Sequence, residues 1–259
     1  MIDIHCHLLP GLDDGVKTEE EAIECLRIAE EDGIRTLVMT PHISEGVYDV
    51  SADAIRAAAA KLRERAGQEG IDIDIRIGSD NHLSADFIQK LQEGKILSLN
   101  ETGKYILMEL PKQIVPGRVH ELLFRMRLAG YWPVLTHPER NHFLRTDLSF
   151  LMGLVRMGCL VQVTAASVEG EFGEEAEAAS LVMLRRRMVH VIASDAHSKN
   201  SRPPVLSGAV ERASEIVGEA EARKMVFDVP SAILQGTEIQ LESPLEEKSF
   251  LKKIWSFFS

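Results

Sequence analysis

Apolar, β-branched runs recur along this chain with helix-period segments between them, and that alternation restricts the fold more than any other feature. The runs are Ile34 to Met39, Ile71 to Ile77, Tyr105 to Leu110, Trp132 to Thr136, Leu160 to Thr164 and Val189 to Ala193; with an opening segment from Ile2 they make seven candidate strands. Between them, Thr18 with Glu21 three residues on has the form of a capping box that starts a helix. Phe87, Ile88 and Leu91 share one face of another helix, expected to open at Ser84. Regular strand–helix alternation calls for parallel pairing, because each parallel return needs a crossover. Near-continuous apolar strands imply cover on both faces, and 259 residues at 45% hydrophobic content suffice for one α/β barrel. The expected fold is therefore α/β, a distorted (β/α)7 TIM-like barrel with parallel strands and outer helices; a doubly wound sheet is the alternative. The character of the chain changes near Glu242, so residues 1–242 are expected to form the barrel and 243–259 an amphipathic C-terminal tail.

Ligand-type side chains stand at the C-terminal end of almost every candidate strand. His5 and His7 close the first, two positions apart and so on one face, with Asp13 and Asp14 following. His42 follows the second in Thr40-Pro41-His42, and Asp80 and His82 follow the third. Glu109 ends the fourth, His137 the fifth in His137-Pro138-Glu139-Arg140, and Asp195 and His197 the last. A parallel barrel gathers groups from these ends into one pocket. One such residue is usually a solvated loop group, but accidents at five or more strand ends are improbable, and the joint pattern reads as a metal site. His120, in a helix-like stretch, and His190, at the start of the last strand, read as surface or structural; His142 stays unassigned.

Imidazole and carboxylate without thiolate suit Mn2+, Fe or Zn2+ and do not separate them; Mn2+ is the leading expectation, with two or three divalent ions implied by eight or nine ligands. Cys6 falls on the opposite side of its strand from His5 and His7 and reads as a small packed residue.

Cys6, Cys25 and Cys159 form neither a disulfide framework nor a Cys-x-x-Cys pair, which gives a cytosolic redox reading. The positions six after them are Leu12, Glu31 and Ala165, so the Cys-x5-Arg loop of cysteine-based phosphatases is excluded. The net charge of −11 and the lack of a long Lys/Arg run disfavour nucleic-acid binding, and any anionic substrate must be drawn locally by metals and arginines. No signal-like start and no transmembrane-length apolar stretch is seen.

With these motifs in order, His5-Cys-His7-x6-Asp14-Gly15, Thr40-Pro41-His42, His137-Pro-Glu-Arg140-Asn141 and Ser194-Asp195-Ala-His197 with Arg202-Pro203, the chain resembles the PHP (polymerase and histidinol phosphatase) superfamily. Within it, the chain resembles the CpsB/CapC-type protein-tyrosine phosphatases of capsule and exopolysaccharide regulation, along essentially its whole length. The resemblance implies a PHP fold with a trinuclear site: His5, His7 and Asp195 on one ion, Glu109 and His137 on a second, Asp14, His42 and His197 on a third. Asp80 would bridge the first two, where the family pattern Gly-x-Glu has a residue one methylene longer. It also implies that Arg140 and Arg202 bind substrate phosphate, a role suited to their planar forks.

The catalytic set is then Arg140, Arg202, His197 and Asp195. Cations bridging one water bring its pKa near neutrality, so hydroxide is the expected nucleophile for a phosphotyrosine monoester, with no phosphoenzyme. The alternatives are a histidinol-phosphate or other small-molecule phosphomonoesterase, and a catalytically weak phosphopeptide-binding regulator. The implied partner is a membrane-associated tyrosine autokinase that carries the phosphotyrosine, and the implied location is cytoplasmic with recruitment to the inner face of the membrane; a homo-oligomer is left open. Phe250, Leu251, Ile254, Trp255, Phe257 and Phe258 beside Lys252 and Lys253 would either pack back on the domain or dock on that membrane.

Overall fold

Residues 1–246, apart from Lys112 and Ile114, are described by a computed structural model; the aromatic run that begins at Phe250 lies outside the described residues. Among them are nine strands: β1 (Ile2–Cys6), β2 (Thr36–Met39), β3 (His42–Ile43), β4 (Asp74–Ile77), β5 (Asp80–His82), β6 (Tyr105–Glu109), β7 (Trp132–Thr136), β8 (Leu160–Thr164) and β9 (Val191–Ala193). Every ladder between them is parallel, and helices occupy most of the connections, as the alternation requires.

The ladders fall into two sets, β1-β2-β4 and β3-β5-β6-β7-β8-β9. Nine strands arise from seven runs because two chain paths are interrupted. Pro41 has no N–H to give, so pairing stops after Met39 and resumes at His42. The neighbouring path breaks at Gly78-Ser79, where Gly78 N–H donates to Met39 O at 2.9 Å and Asp80 N–H to Pro41 O at 3.1 Å. Beyond the break His42 stands opposite Asp80. At the other side the chain just past β9 meets the end of β1: Cys6 bridges Ala196, Asp195 N–H donates to His5 O and His7 N–H to Ala196 O, both at 2.8 Å.

Alternate residues on the strands enter two apolar clusters on opposite faces. Val38, Tyr105, Leu107, Val134, Leu160, Val191 and Ala193 form one, closed by Ile233 with Ile239 and Leu241; Leu37, Met39, Ile106, Met108, Leu135, Val161, Val163 and Ile192 join the other with the helices. The first face carries polar groups toward the C-terminal ends, so Glu109 follows Leu107 and Gln162 follows Leu160 by the two-residue period.

The capping box at Thr18 forms in modified shape. Thr18 Oγ1 accepts Glu21 N–H at 3.1 Å, opening the helix Glu19–Glu31, while Glu21 Oε2 reaches Lys17 N–H at 3.0 Å, one residue before the cap. The helix expected from Ser84 is instead Phe87–Gln92, because the Ser84 hydroxyl is spent on Asp86 Oδ1 at 2.7 Å in the preceding turn; its buried face is Phe87, Ile88 and Leu91. Toward the C-terminus Pro244 is buried and Leu245 N–H donates to Arg186 O at 2.9 Å. No helix among the described residues is long and apolar enough to cross a membrane.

Candidate metal centre

Backbone constraint begins the site. Gly15 lies so close to β1 that an added Cβ would stand 1.9 Å from His7 O, so only glycine lets the Asp13-Asp14 loop fold back over the histidines. At the far wall Asp195 sits at φ 53° and His137 at φ 32°, left-handed values that non-glycine residues rarely hold. The Asp195 turn is fastened by Asp3, whose carboxylate accepts Ser194 N–H at 3.2 Å and the Ser194 hydroxyl at 2.5 Å, while Ser194 Oγ accepts Ala196 N–H at 3.1 Å. Burial pushes the Asp3 carboxyl up to about 6, against those hydrogen bonds.

His5 and His7 are fully buried, and each has its Nδ1 proton committed. His5 Nδ1 donates to Gln162 Oε1 at 2.9 Å, and His7 Nδ1 to Asp13 Oδ2 at 2.6 Å. Their Nε2 atoms therefore face each other at 3.0 Å and face Asp195 Oδ1 at 3.5 and 3.4 Å. Two lone pairs so close need a proton or a cation between them. Burial pushes the His7 imidazole down, but Asp13 and Asp195 outweigh it and raise the pKa to about 10.

Among the described residues, four groups each bring their ligand-type atoms within 4.8 Å of one another: His7, Asp14, His42 and His197; His5, His7 and Asp80; Asp80, Glu109 and His137; and His42, His82 and Glu109. Asp80 Oδ2 stands 3.6 Å from His5 Nε2 and 3.2 Å from His42 Nδ1, yet neither of its buried oxygens receives a hydrogen bond. Despite its burial the Asp80 carboxyl is held well below the usual range by His5 and His42. Glu109 meets His137 at 3.7 Å and His82 at 2.5 Å. Asp14 Oδ1 lies 3.6 Å from His42 Nε2 and 3.5 Å from His197 Nε2. Burial lowers His137 to about 4, and Arg140 adds to the shift, so its ring is neutral and available as a donor atom.

Buried carboxylates without hydrogen-bond donors are costly unless a cation compensates them. The nitrogen and oxygen donor set, the facing Nε2 atoms and the orphaned Asp80 oxygens all fit divalent metal ions. All nine residues expected to be ligands converge here, with His82 added. Arg140 and Arg202 reach the same place: both pair with Asp195 Oδ2, Arg140 Nη1 at 2.6 Å. His120 packs edge-on to Phe150 instead, His190 Nδ1 accepts Val161 N–H, and exposed His142 begins the helix His142–Thr146. The thiols are buried, with Cys25 and Cys159 pushed up to about 12 by desolvation.

The family model for capsular polysaccharide synthesis proteins CpsB/CapC matches residues 1–235. The chain belongs to the CpsB/CapC family. Among CpsB/CapC relatives, the tyrosine-protein phosphatase YwqE of Bacillus subtilis is 41% identical over 202 residues, 78% of this chain and 79% of that one. The tyrosine-protein phosphatase CpsB of Streptococcus pneumoniae is 30% identical over 239 residues, 90% of this chain and 98% of the relative. A crystal structure from work on these two proteins, described there as metal-dependent tyrosine phosphatases, superposes with a TM-score of 0.90 at 36% identity, covering 95% of this chain and 100% of that one.

Three supporting residues escape sequence reasoning. Gln162 lies in a run that reads as uniformly apolar, and its signal is the one amide in Leu160–Thr164. Asp3 shares the His5 face by the two-residue period. Glu139 lies inside a recognised motif, but its buried carboxylate accepts Thr164 N–H at 3.0 Å and belongs to none of the groups of ligand atoms.

Proposed function

We propose that this chain is a metal-dependent protein-tyrosine phosphatase, a phosphoric monoester hydrolase whose ligands are His5, His7, Asp14, His42, Asp80, Glu109, His137, Asp195 and His197. The observation that carries the reading is that Arg140 and Arg202 converge on one oxygen of Asp195 while the other faces His5 and His7. Anion-binding forks and cation-binding groups thus share one wall. The parallel strands are taken as a distorted (β/α)7 barrel of residues 1–242, a reading supported by the bridge between Cys6 of β1 and Ala196 just past β9.

Two or three bound divalent ions, Mn2+ foremost and Fe or Zn2+ as alternatives, would supply Lewis-acid charge and lower the pKa of a shared water. The protein does the rest. Gln162 and Asp13 hold the His5 and His7 tautomers with Nε2 inward. Arg140 and Arg202 take the phosphate oxygens, where charge develops during in-line displacement. Asp195 orients both guanidiniums from beneath. His197 Nδ1 donates to Asp195 O at 2.8 Å, which leaves the Nε2 lone pair facing the site for ligation; to protonate the departing tyrosyl oxygen the ring must first take up a proton at Nε2, against the burial that lowers its pKa. That leaving group, with a pKa near ~10, needs less help than an alkoxide.

Capsular family membership supports a substrate protein that is a membrane-associated tyrosine autokinase, and hence a cytoplasmic enzyme recruited to the inner membrane face. The test is a substrate panel with manganese-loaded protein. The reading requires kcat/KM on a phosphotyrosyl peptide to exceed that on histidinol phosphate; the reverse order would transfer the chain to the small-molecule phosphatases.

A further inference from the structure

Two aromatic side chains outside the ligand set stand against the site. Phe172, in the connection between the helices Ala165–Val168 and Glu174–Arg185, lies with its ring centroid 4.7 Å from the Arg140 guanidinium carbon and 5.6 Å from that of Arg202. It touches both phosphate-binding groups at once. Tyr48, in the loop after β3, stacks nearly parallel on His42, with centroids 5.6 Å apart and planes at 18°. That loop is tied back on itself by the Ser44–Tyr48 bridge. Both aromatics are partly exposed, whereas His42 under Tyr48 is buried.

A partly exposed phenyl ring over two guanidiniums has a purpose beyond core packing. Its face already accepts the two guanidiniums, and part of its apolar surface stays open to solvent beside them. A phosphomonoester held by Arg140 and Arg202 directs its ester group outward, past the rings that border the site. An aryl ester can then lie against an aromatic wall in offset or edge-to-face contact, whereas a short alkyl ester covers much less of it.

From this geometry we infer that Phe172, with Tyr48 on the His42 side, forms the ring-binding wall that makes the site selective for aryl phosphates. Phe172 is the specificity-determining residue, and its contact with the arginines sets the ring beside the phosphate subsite. This rests on the phosphatase reading above and adds the residues that read the leaving group.

The test compares a ligand with a ring and one without. KM and kcat are measured for a phosphotyrosyl peptide, and Ki for inorganic phosphate as competitor, in manganese-loaded wild type, Phe172→Ala, Phe172→Leu and Phe172→Trp. Loss of one aromatic contact predicts a peptide KM raised about tenfold in the alanine and leucine variants, with a much smaller change in phosphate Ki, and recovery toward wild type with tryptophan. Parallel rises in KM and Ki would reduce Phe172 to a prop for the arginines and overturn the inference. So would unchanged KM in all three variants, or a leucine variant that matches wild type. Wild-type protein that binds inorganic phosphate by calorimetry but does not turn over the peptide would overturn the phosphatase reading itself, and the ring wall with it.

Discussion

Asp13 grips His7 through a 2.6 Å contact between Oδ2 and Nδ1, and the same oxygen accepts His42 N–H at 2.9 Å. One carboxylate therefore fixes the ring of one ligand and the backbone of another, while its second oxygen takes Gly15 N–H at 2.9 Å. Asp13 shapes the centre without belonging to any of the groups of ligand atoms.

Asp13→Asn keeps the size and loses the charge. Because the partner that orients a ligating histidine tunes its basicity, Mn2+ affinity is expected to fall roughly 10–100-fold, with the fold intact by circular dichroism. Equal affinity in the variant, measured by calorimetry, would remove Asp13 from the centre's support.

Metal loading must displace a proton. His7 stands at about 10 in the metal-free chain and so carries its proton at pH 7.5, but only the neutral imidazole ligates. Affinity for Mn2+ is therefore expected to rise from pH 6 to pH 8, with release of at least about one proton per chain at pH 7.5. Titration in buffers of different ionisation enthalpy measures the release; none, with pH-independent affinity, contradicts the arrangement.

Glu139 gives a stability signature. Burial pushes its carboxyl up to about 7, partly offset by Thr164 and Ser167, so the folded state holds a proton that the unfolded chain loses near ordinary glutamate values. The sign follows: its contribution is complete below about pH 4.5 and is lost as pH rises through about 7. Glu139→Gln keeps an acceptor for Thr164 N–H and has no charge to bury. At pH 8 the metal-stripped variant is expected to be more stable than wild type by up to about 3 kcal/mol, and at pH 4.5 nearly equal. Denaturant melts at the two pH values check this; the same difference at both would refute it.

Arg140 and Arg202 are expected to act through geometry as well as charge. Replacing either with alanine should lower kcat/KM for a phosphotyrosyl peptide on the order of 100-fold. Arg140→Lys should recover only part, since a point charge cannot reproduce the two-pronged fork. Full recovery by lysine would show that charge alone suffices.

Much of this centre was legible in the chain because strand ends are legible. Trp132–Thr136 and Leu160–Thr164 match their apolar runs residue for residue, and His137 follows directly. The short strands His42–Ile43 and Asp80–His82 were not, because they are two and three residues long, all but Ile43 are polar, and their pairing lies beyond the Pro41 and Gly78 breaks. Asp80 and His82 could be named as candidates, but the four interlocking groups, with His42 and Glu109 shared alongside His82, need coordinates. The Gln162–His5 contact spans 157 positions, and no local pattern announces it. Glu139 was hidden for another reason: a carboxylate in a ligand-rich motif invites a catalytic reading, and only its burial against β8 reveals a structural one.

Turnover of a phosphotyrosyl peptide by metal-stripped protein, titrated with Mn2+ while bound metal is counted, tests the central claim most directly. Activity should be negligible without metal and should rise to its plateau as two or three ions fill each chain. Turnover that survives complete stripping, or full loading with no turnover, would contradict a metal-dependent tyrosine phosphatase.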